Sequence, residues 1–298
     1  MQVTVTGGAG FIGHHLVREL LGRGYEVVVL DNLRRGSFER PAMDAATCLQ
    51  GDIRDLDDCR NALAGSDAVV HLAAQSNVMG SQHDPSYTYE TNVTGTWNIA
   101  RAASECGLRQ FVFASSREVY GEAAVLPVRE DAPLAPHNLY GASKVAGEML
   151  LQSLPWPTPE VAILRLGNVI GPGDAGRVTP LWLEAARERR PLILFGGEQI
   201  LDFVPVTLVC NAFLRVLDSG AAIRPVNVAS GRATTLRELS SRIRALYPQH
   251  APAVDVRPAR AVEVTRFVAD VNRMREVLGI EPPADPLSIL AEMRDVTL

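Results

Sequence analysis

The stretch TGGAGFIG, residues 6–13, constrains this chain more than any other. It lies between an apolar run, QVTVT at 2–6, and a segment where Ile12, Leu16 and Leu20, with Val17 and Leu21, recur at helical spacing. Gly7, Gly10 and Gly13 are spaced by three, and Gly8, Gly10 and Gly13 satisfy GxGxxG. A backbone that leaves a strand, turns sharply, passes close to a pyrophosphate and seats a helix has no room for side chains at those points. The helix start then offers N–H groups and a positive dipole end to phosphate. The same spacing can make a tight structural turn. Its place in a first βαβ unit, with an acid ending the second strand, favours dinucleotide binding.

Strands and helices alternate onward from this turn. YEVVVLD (25–31), TCLQGD (47–52), DAVVHLA (67–73), RQFVFAS (109–115) and EVAILRL (160–166) read as further strands. Their nearly continuous apolar character suits a sheet covered on both faces. The chain is therefore expected to be α/β: a doubly wound parallel sheet of the Rossmann type with a smaller C-terminal mixed α/β lobe. After about residue 170 prolines at 172, 180, 191 and 205 loosen the rhythm, while TLRELSSRIRALY and VNRMREVLG still read as helices. Residues 1–167 are expected to form the NAD-binding domain, joined by part of 200–230, with 168–298 as the substrate-binding lobe.

Several function classes are excluded on composition. A formal charge of −5 supplies no basic footprint for nucleic acid. No apolar stretch is long enough to span a bilayer, and MQVTVT runs into a strand without a leader pattern. Cys48, Cys59, Cys106 and Cys210 lack CxxC spacing, and six histidines make no HExxH, so no metal site is expected. These features point to a cytoplasmic protein with free thiols.

Asp31 ends the second strand, where a carboxylate can accept both ribose hydroxyls of NAD and repel a 2′-phosphate. Arg34 and Arg35 follow closely and would reverse that preference towards NADP if their loop folded back. Asp52, in GDIRD, can face the adenine amine or cap the helix read from RDLDDCRNAL. Tyr140 and Lys144, in YGASK, lie one helical turn apart on one face. A neighbouring ammonium lowers a phenol's pKa, so this pair can take a proton from an alcohol as hydride leaves the same carbon. A bare YxxxK is also an ordinary surface pair.

Taken together, the order of TGGAGFIG, DNL, GDIRD, HLAAQS, DPSYTYETNVTGTWNIA, FASSREVYGE, PLAPHNLYGASKVAGE, RLGNVIGPG and EVTRFVADVNRMREVLG resembles the extended short-chain dehydrogenase/reductases. More closely, it resembles their NAD-dependent nucleotide-sugar epimerases and dehydratases, over almost the whole chain. The resemblance implies catalysis by Ser116, Tyr140 and Lys144, with Glu118 as a further candidate. It implies an NAD groove lined by Gly7, Gly10, Phe11, Ile12, Gly13, Asp31, Asn32, Asp52, Ile53, Leu72, Ala73, Ala74, Asn92, Ser115, Tyr140 and Lys144. Substrate contacts would come from Asn168, Arg177, Arg260 and Glu263, with a UDP-linked sugar as substrate. Ser115 and Ser116 are both expected to point into the cleft. A homodimer is implied through helices at about 85–106 and 137–153, with Trp97, Ile99, Met149 and Leu150 as apolar surface.

Two departures bear on the chemistry. Arg117 stands where the dehydratases carry Asp, beside Glu118, and Leu201 stands where the family has a diphosphate-pairing Arg. A 4-epimerase needs only Ser and Tyr: oxidise the C4 hydroxyl, rotate the 4-keto sugar and return hydride. A dehydratase or uronate decarboxylase would use Glu118 as base. A non-catalytic NAD sensor or scaffold is the alternative of another class, since fold alone does not settle function. A sterol-type or flavonoid-type reductase would call for an apolar pocket.

Overall fold

The computed structural model describes residues 1–155, 159–258 and 264–295. They form two compact units: Met1–Gly121 with Pro133–Leu166 and Cys210–Val226, and Glu122–Ala132 with Gly167–Val209 and Asn227–Leu298.

In the first unit β1 (Gln2–Thr6), α1 (Phe11–Gly22), β2 (Glu26–Asp31), β3 (Thr47–Gln50), α2 (Leu56–Leu63) and β4 (Ala68–His71) follow one another. Then come α3 (Val78–His83), α4 (Pro85–Tyr89), a π-turn at Glu90–Thr94, α5 (Gly95–Glu105), β5 (Gln110–Ser116), α6 (Leu139–Gln152) and β6 (Glu160–Leu166). These strands pair in parallel in the order β3-β2-β1-β4-β5-β6. The order reverses between β1 and β4, and open α/β sheets bind ligands at the carboxyl ends flanking such a reversal. A seventh strand, Ile223–Val228, adds beside β6. It follows the helix Val206–Ser219.

The apolar runs are buried as their composition requires. Val3, Val5, Val29, Val69, Val70, Phe111, Val112 and Phe113 are all sealed from solvent. Each such large side chain contributes about 1.5–3 kcal/mol. On α1 the core face is Gly13, His15, Leu16, Val17 and Leu20, while Ile12 and Leu21 are half-buried.

The second unit is built of short pairs: Asn168–Ile170 with Phe203–Pro205, Leu192–Phe195 with Val254–Arg257, and Ile200–Leu201 with Thr234–Thr235. Its helices include Val178–Arg187 and Leu236–Ala245. The buried carboxylate of Asp202 gathers it: Ser230 donates through N–H at 2.8 Å and Oγ at 2.6 Å, Gly231 N–H at 2.9 Å and Ala269 N–H at 3.1 Å.

Residues 122–132, expected in the first domain, belong to the second unit. The reason is backbone pairing: Val128 N–H donates to Val268 O at 2.7 Å, and Asp270 N–H to Val128 O at 2.8 Å. The return of the chain through 210–226 lies in the first unit.

Candidate active site

The glycine-rich turn occupies the strand reversal. Gly7 sits at φ +70°, and a Cβ there would lie 2.7 Å from Ala73 N, on the loop leaving β4. A Cβ on Gly8 would lie 2.7 Å from a Val29 methyl, and one on Gly13 would strike the Gly7 carbonyl and the Gly8 backbone. Gly10 begins α1 with no side-chain cap, and its first turn holds no acid. An uncapped helix start with bare backbone packed beneath it suits an anionic diphosphate. Leu72, Ala73 and Ala74 continue from β4, with Ala73 N–H donating to Thr6 Oγ1 at 3.3 Å. Phe11 packs edge-on to His15, and Ile12 is half-buried. The His14 ring donates to Gly10 O at 3.0 Å, with the Arg40 guanidinium against the same ring. Burial, then the His15 ring, pushes His14 down to about 4, so it is neutral at pH 7.

Asp31 is buried at the end of β2. Its Oδ2 accepts Ala9 N–H at 3.0 Å and its Oδ1 accepts Leu33 N–H at 2.9 Å. Burial raises its pKa, against those two bonds. Asp52 is not the cap of α2: Asp55 accepts Asp57 N–H at 2.8 Å in that role. Asp52 instead pairs with Arg54 at 2.9 Å and accepts Asn32 Nδ2 at 3.1 Å. Burial opposes its charge, yet the Arg54 hydrogen bonds and their neighbours hold its pKa below the usual carboxylate range. Ile53 is core, against Gly95. Arg34 lies over the Tyr87 ring, and Arg35 donates to Ser76 Oγ at 3.1 Å.

At the end of β5, Ser116 caps a single 3-10 turn, Arg117–Tyr120, by accepting Glu118 N–H at 3.2 Å. The Glu118 carboxylate is buried and occupied. Arg117 pairs with Oε1 at 2.7 Å, and Asn138 Nδ2 donates to Oε2 at 2.8 Å. Asn138 also caps α6, its Oδ1 accepting Gly141 N–H at 2.8 Å. A Cβ on Gly141 would lie 2.5 Å from Glu118 O, so the first turn of α6 is seated directly on the Ser116–Glu118 turn. That seating brings half-buried Tyr140 to the strand end. Lys144, one turn on, is 3% exposed and donates Nζ to Ala114 O at 2.9 Å, above the Phe113 ring. Burial pushes its pKa down to about 8, with Glu148 working the other way.

Ser115 is a correction. Consecutive strand residues face opposite ways, and the Ser115 hydroxyl is 2.5 Å from Glu148 Oε1, behind the strand. Glu148 also takes a two-pronged bond from Arg165, Nε to Oε1 at 2.9 Å and Nη2 to Oε2 at 2.7 Å. Arg165 Nη1 in turn donates to Tyr120 OH at 2.9 Å. Ser115 therefore holds the scaffold rather than lining the cleft.

Asn92, in the π-turn, is a clamp: its Oδ1 accepts Gln75 N–H at 2.7 Å and its Nδ2 donates to Ser143 Oγ at 2.9 Å. It fixes the loop after β4 to α6. Sequence reasoning missed His71, sealed at the end of β4 between Thr6 Oγ1 at 2.7 Å and Thr96 Oγ1 at 3.1 Å. Burial, then Lys144, pushes it to about 3. A histidine inside an otherwise apolar strand run was the available signal. In the second unit Asn168 starts its strand, and Arg177 is held by Asp174 at 3.3 Å and by donation to Val169 O at 3.1 Å. Arg260 and Glu263 lie outside the described residues. No helix among the described residues is long and apolar enough to cross a membrane.

Residues 3–229 fit the NAD dependent epimerase/dehydratase family. The chain belongs to that family. A UDP-glucose 4-epimerase of Mycolicibacterium smegmatis is 36% identical over 95% of this chain and 94% of its own length. The UDP-glucose 4-epimerase of Thermotoga maritima, solved with UDP-glucose, superposes with a TM-score of 0.92 at 30% identity, covering 98% of each chain. A dTDP-glucose 4,6-dehydratase of Streptomyces venezuelae, solved with NAD, superposes at 0.90 and 30% identity, covering 99% of this chain and 96% of its own. Family membership makes this an NAD-dependent enzyme, and the bare glycine turn, uncapped helix and buried Asp31 are residues that fit that cofactor.

Proposed function

We propose that this chain is a UDP-sugar 4-epimerase. The observation that carries the reading is the closed state of Glu118, with Arg117 on one oxygen and Asn138 on the other. A carboxylate so held is a poor base for C5, which a dehydratase needs; Arg117 likewise removes the acid for a departing hydroxyl. What is left is the set sufficient for epimerisation. Tyr140 takes the C4 hydroxyl proton, Ser116 hydrogen-bonds the same oxygen, and the Lys144 ammonium favours the phenolate. NAD, when bound, supplies a reversible hydride acceptor. Once the 4-keto sugar has turned its other face to the hydride, hydride goes back to C4 from that side and Tyr140 returns the proton to the C4 oxygen, which completes the cycle with no net oxidation.

Asn168 and Arg177, with Arg260 and Glu263, are assigned to the nucleotide and diphosphate. A homodimer is proposed through α5 and α6, where Trp97 is 37% and Met149 46% exposed, and Leu150 is half-buried. Ile99 is fully buried and belongs to the core instead. The free thiols suit a reducing, cytoplasmic setting.

The test is the product made by pure protein from UDP-glucose, UDP-N-acetylglucosamine and UDP-glucuronate, read by NMR. A C4 epimer with no net cofactor turnover is expected. A 4-keto-6-deoxy sugar or a pentose would overturn the reading in favour of chemistry through Glu118.

A further inference from the structure

Three chain segments leave neighbouring strands and meet at one place. Asn32–Arg34 follows β2, Asp52–Arg54 follows β3, and α4 comes after β4. Tyr87 joins them. Its hydroxyl accepts Asn32 Nδ2 at 3.2 Å. The Arg34 guanidinium carbon lies 3.7 Å from its ring centroid, and that of Arg54 lies 4.9 Å away. Each cation is balanced: Arg34 by Asp84 at 3.7 Å, Arg54 by Asp52 at 2.9 Å and Glu90 at 3.1 Å. Asp84 also caps α4 by accepting Tyr87 N–H at 3.1 Å.

The loop is bent to deliver Arg34. Asn32 Oδ1 accepts Arg34 N–H at 3.1 Å, and Leu33 is held at φ +59°, a region that costs an L side chain energy. Proton removal at Tyr140 has no use for any of these contacts. They lie against Asn32 and Asp52, both expected to line the cofactor groove, with Asp52 at the adenine amine.

We propose that Arg34, Tyr87 and Asn32 form a latch across the adenosine end of the cofactor groove that slows release of the dinucleotide. The proposal rests on the cofactor site described above. Its chemical logic follows from the reaction. An enzyme that oxidises and then reduces one carbon consumes no cofactor, and loss of the reduced form midway strands a 4-keto sugar. For the adenosine to leave, segments joined only by side chains must part.

The experiment is release of NAD from preloaded protein, followed in a stopped flow against an excess of a fluorescent NAD analogue. Tyr87→Leu is expected to release NAD about tenfold faster and Arg34→Ala somewhat less, as for loss of a cation–π contact. Tyr87→Phe, which keeps the ring and loses only the Asn32 bond, is expected to fall between Tyr87→Leu and wild type. Arg34 is 48% exposed, so its removal leaves the core intact, and melting curves check this. Wild-type rates in both Tyr87→Leu and Arg34→Ala overturn the latch alone. A wild-type protein that binds no NAD overturns the cofactor site and the latch with it.

Discussion

Ser115 and Ser116 are neighbours on β5, yet they serve opposite sides of it. Behind the strand, Ser115, Glu148, Arg165 and Tyr120 form a sealed network in which the carboxylate meets three donors. In front, Ser116, Glu118, Asn138, Tyr140 and Lys144 gather where the strand turns into a helix. Both sides are rich in charge. The rear network is closed upon itself and can only hold α6 and β6 in register. The front keeps a half-buried phenol beside a desolvated ammonium, an arrangement that costs stability and has chemical use.

Substitutions can break this contrast. Tyr140→Phe should lower kcat by about 10²–10⁴-fold with little change in melting temperature, since a general base is lost and packing is kept. Retained turnover would remove Tyr140 from the front set. Arg165→Leu should do the reverse. It leaves Glu148 charged and buried, at a cost of about 3–5 kcal/mol in urea unfolding, and Glu148→Gln/Arg165→Met should recover most of it.

Lys144→Met tests the cost of the front directly. Lys144 has its pKa depressed from 10.5 to about 8 in the fold. Below about 8 both folded and unfolded chains hold the proton, so the full penalty for burying the charge is present. Between about 8 and 10.5 the unfolded chain binds more protons, and the penalty fades as pH rises. Lys144→Met should therefore be more stable than wild type by about 2 kcal/mol at pH 7, after allowing for the lost Ala114 bond, while losing activity. The gain should shrink through that window in denaturant titrations at stepped pH. A variant less stable than wild type at pH 7 would show that the ammonium is not a burden. The smallest effect is Ser115→Ala, about 1.5 kcal/mol of stability for one hydrogen bond to a charge, with KM for NAD unchanged. A raised KM would return Ser115 to the cofactor groove.

The apolar runs at 2–6 and 160–166 became strands with those same limits, and the glycine turn lay where its spacing put it. Local pattern suffices there, because burial on two faces and close backbone approach each leave a mark in consecutive residues. Tyr140 and Lys144 lie one turn apart on a single helix, as their spacing required. Partners far apart in sequence left no such mark. Asn138 on Glu118, Asn92 on Gln75 and Ser143, and Glu148 on Arg165 are decided only when helices dock on strands. The chain by itself fixed which groups were present and which way each strand's residues alternate. Tertiary packing decided which of those groups were consumed by one another and which stayed open for chemistry, because a buried polar atom must find a partner wherever the fold supplies one.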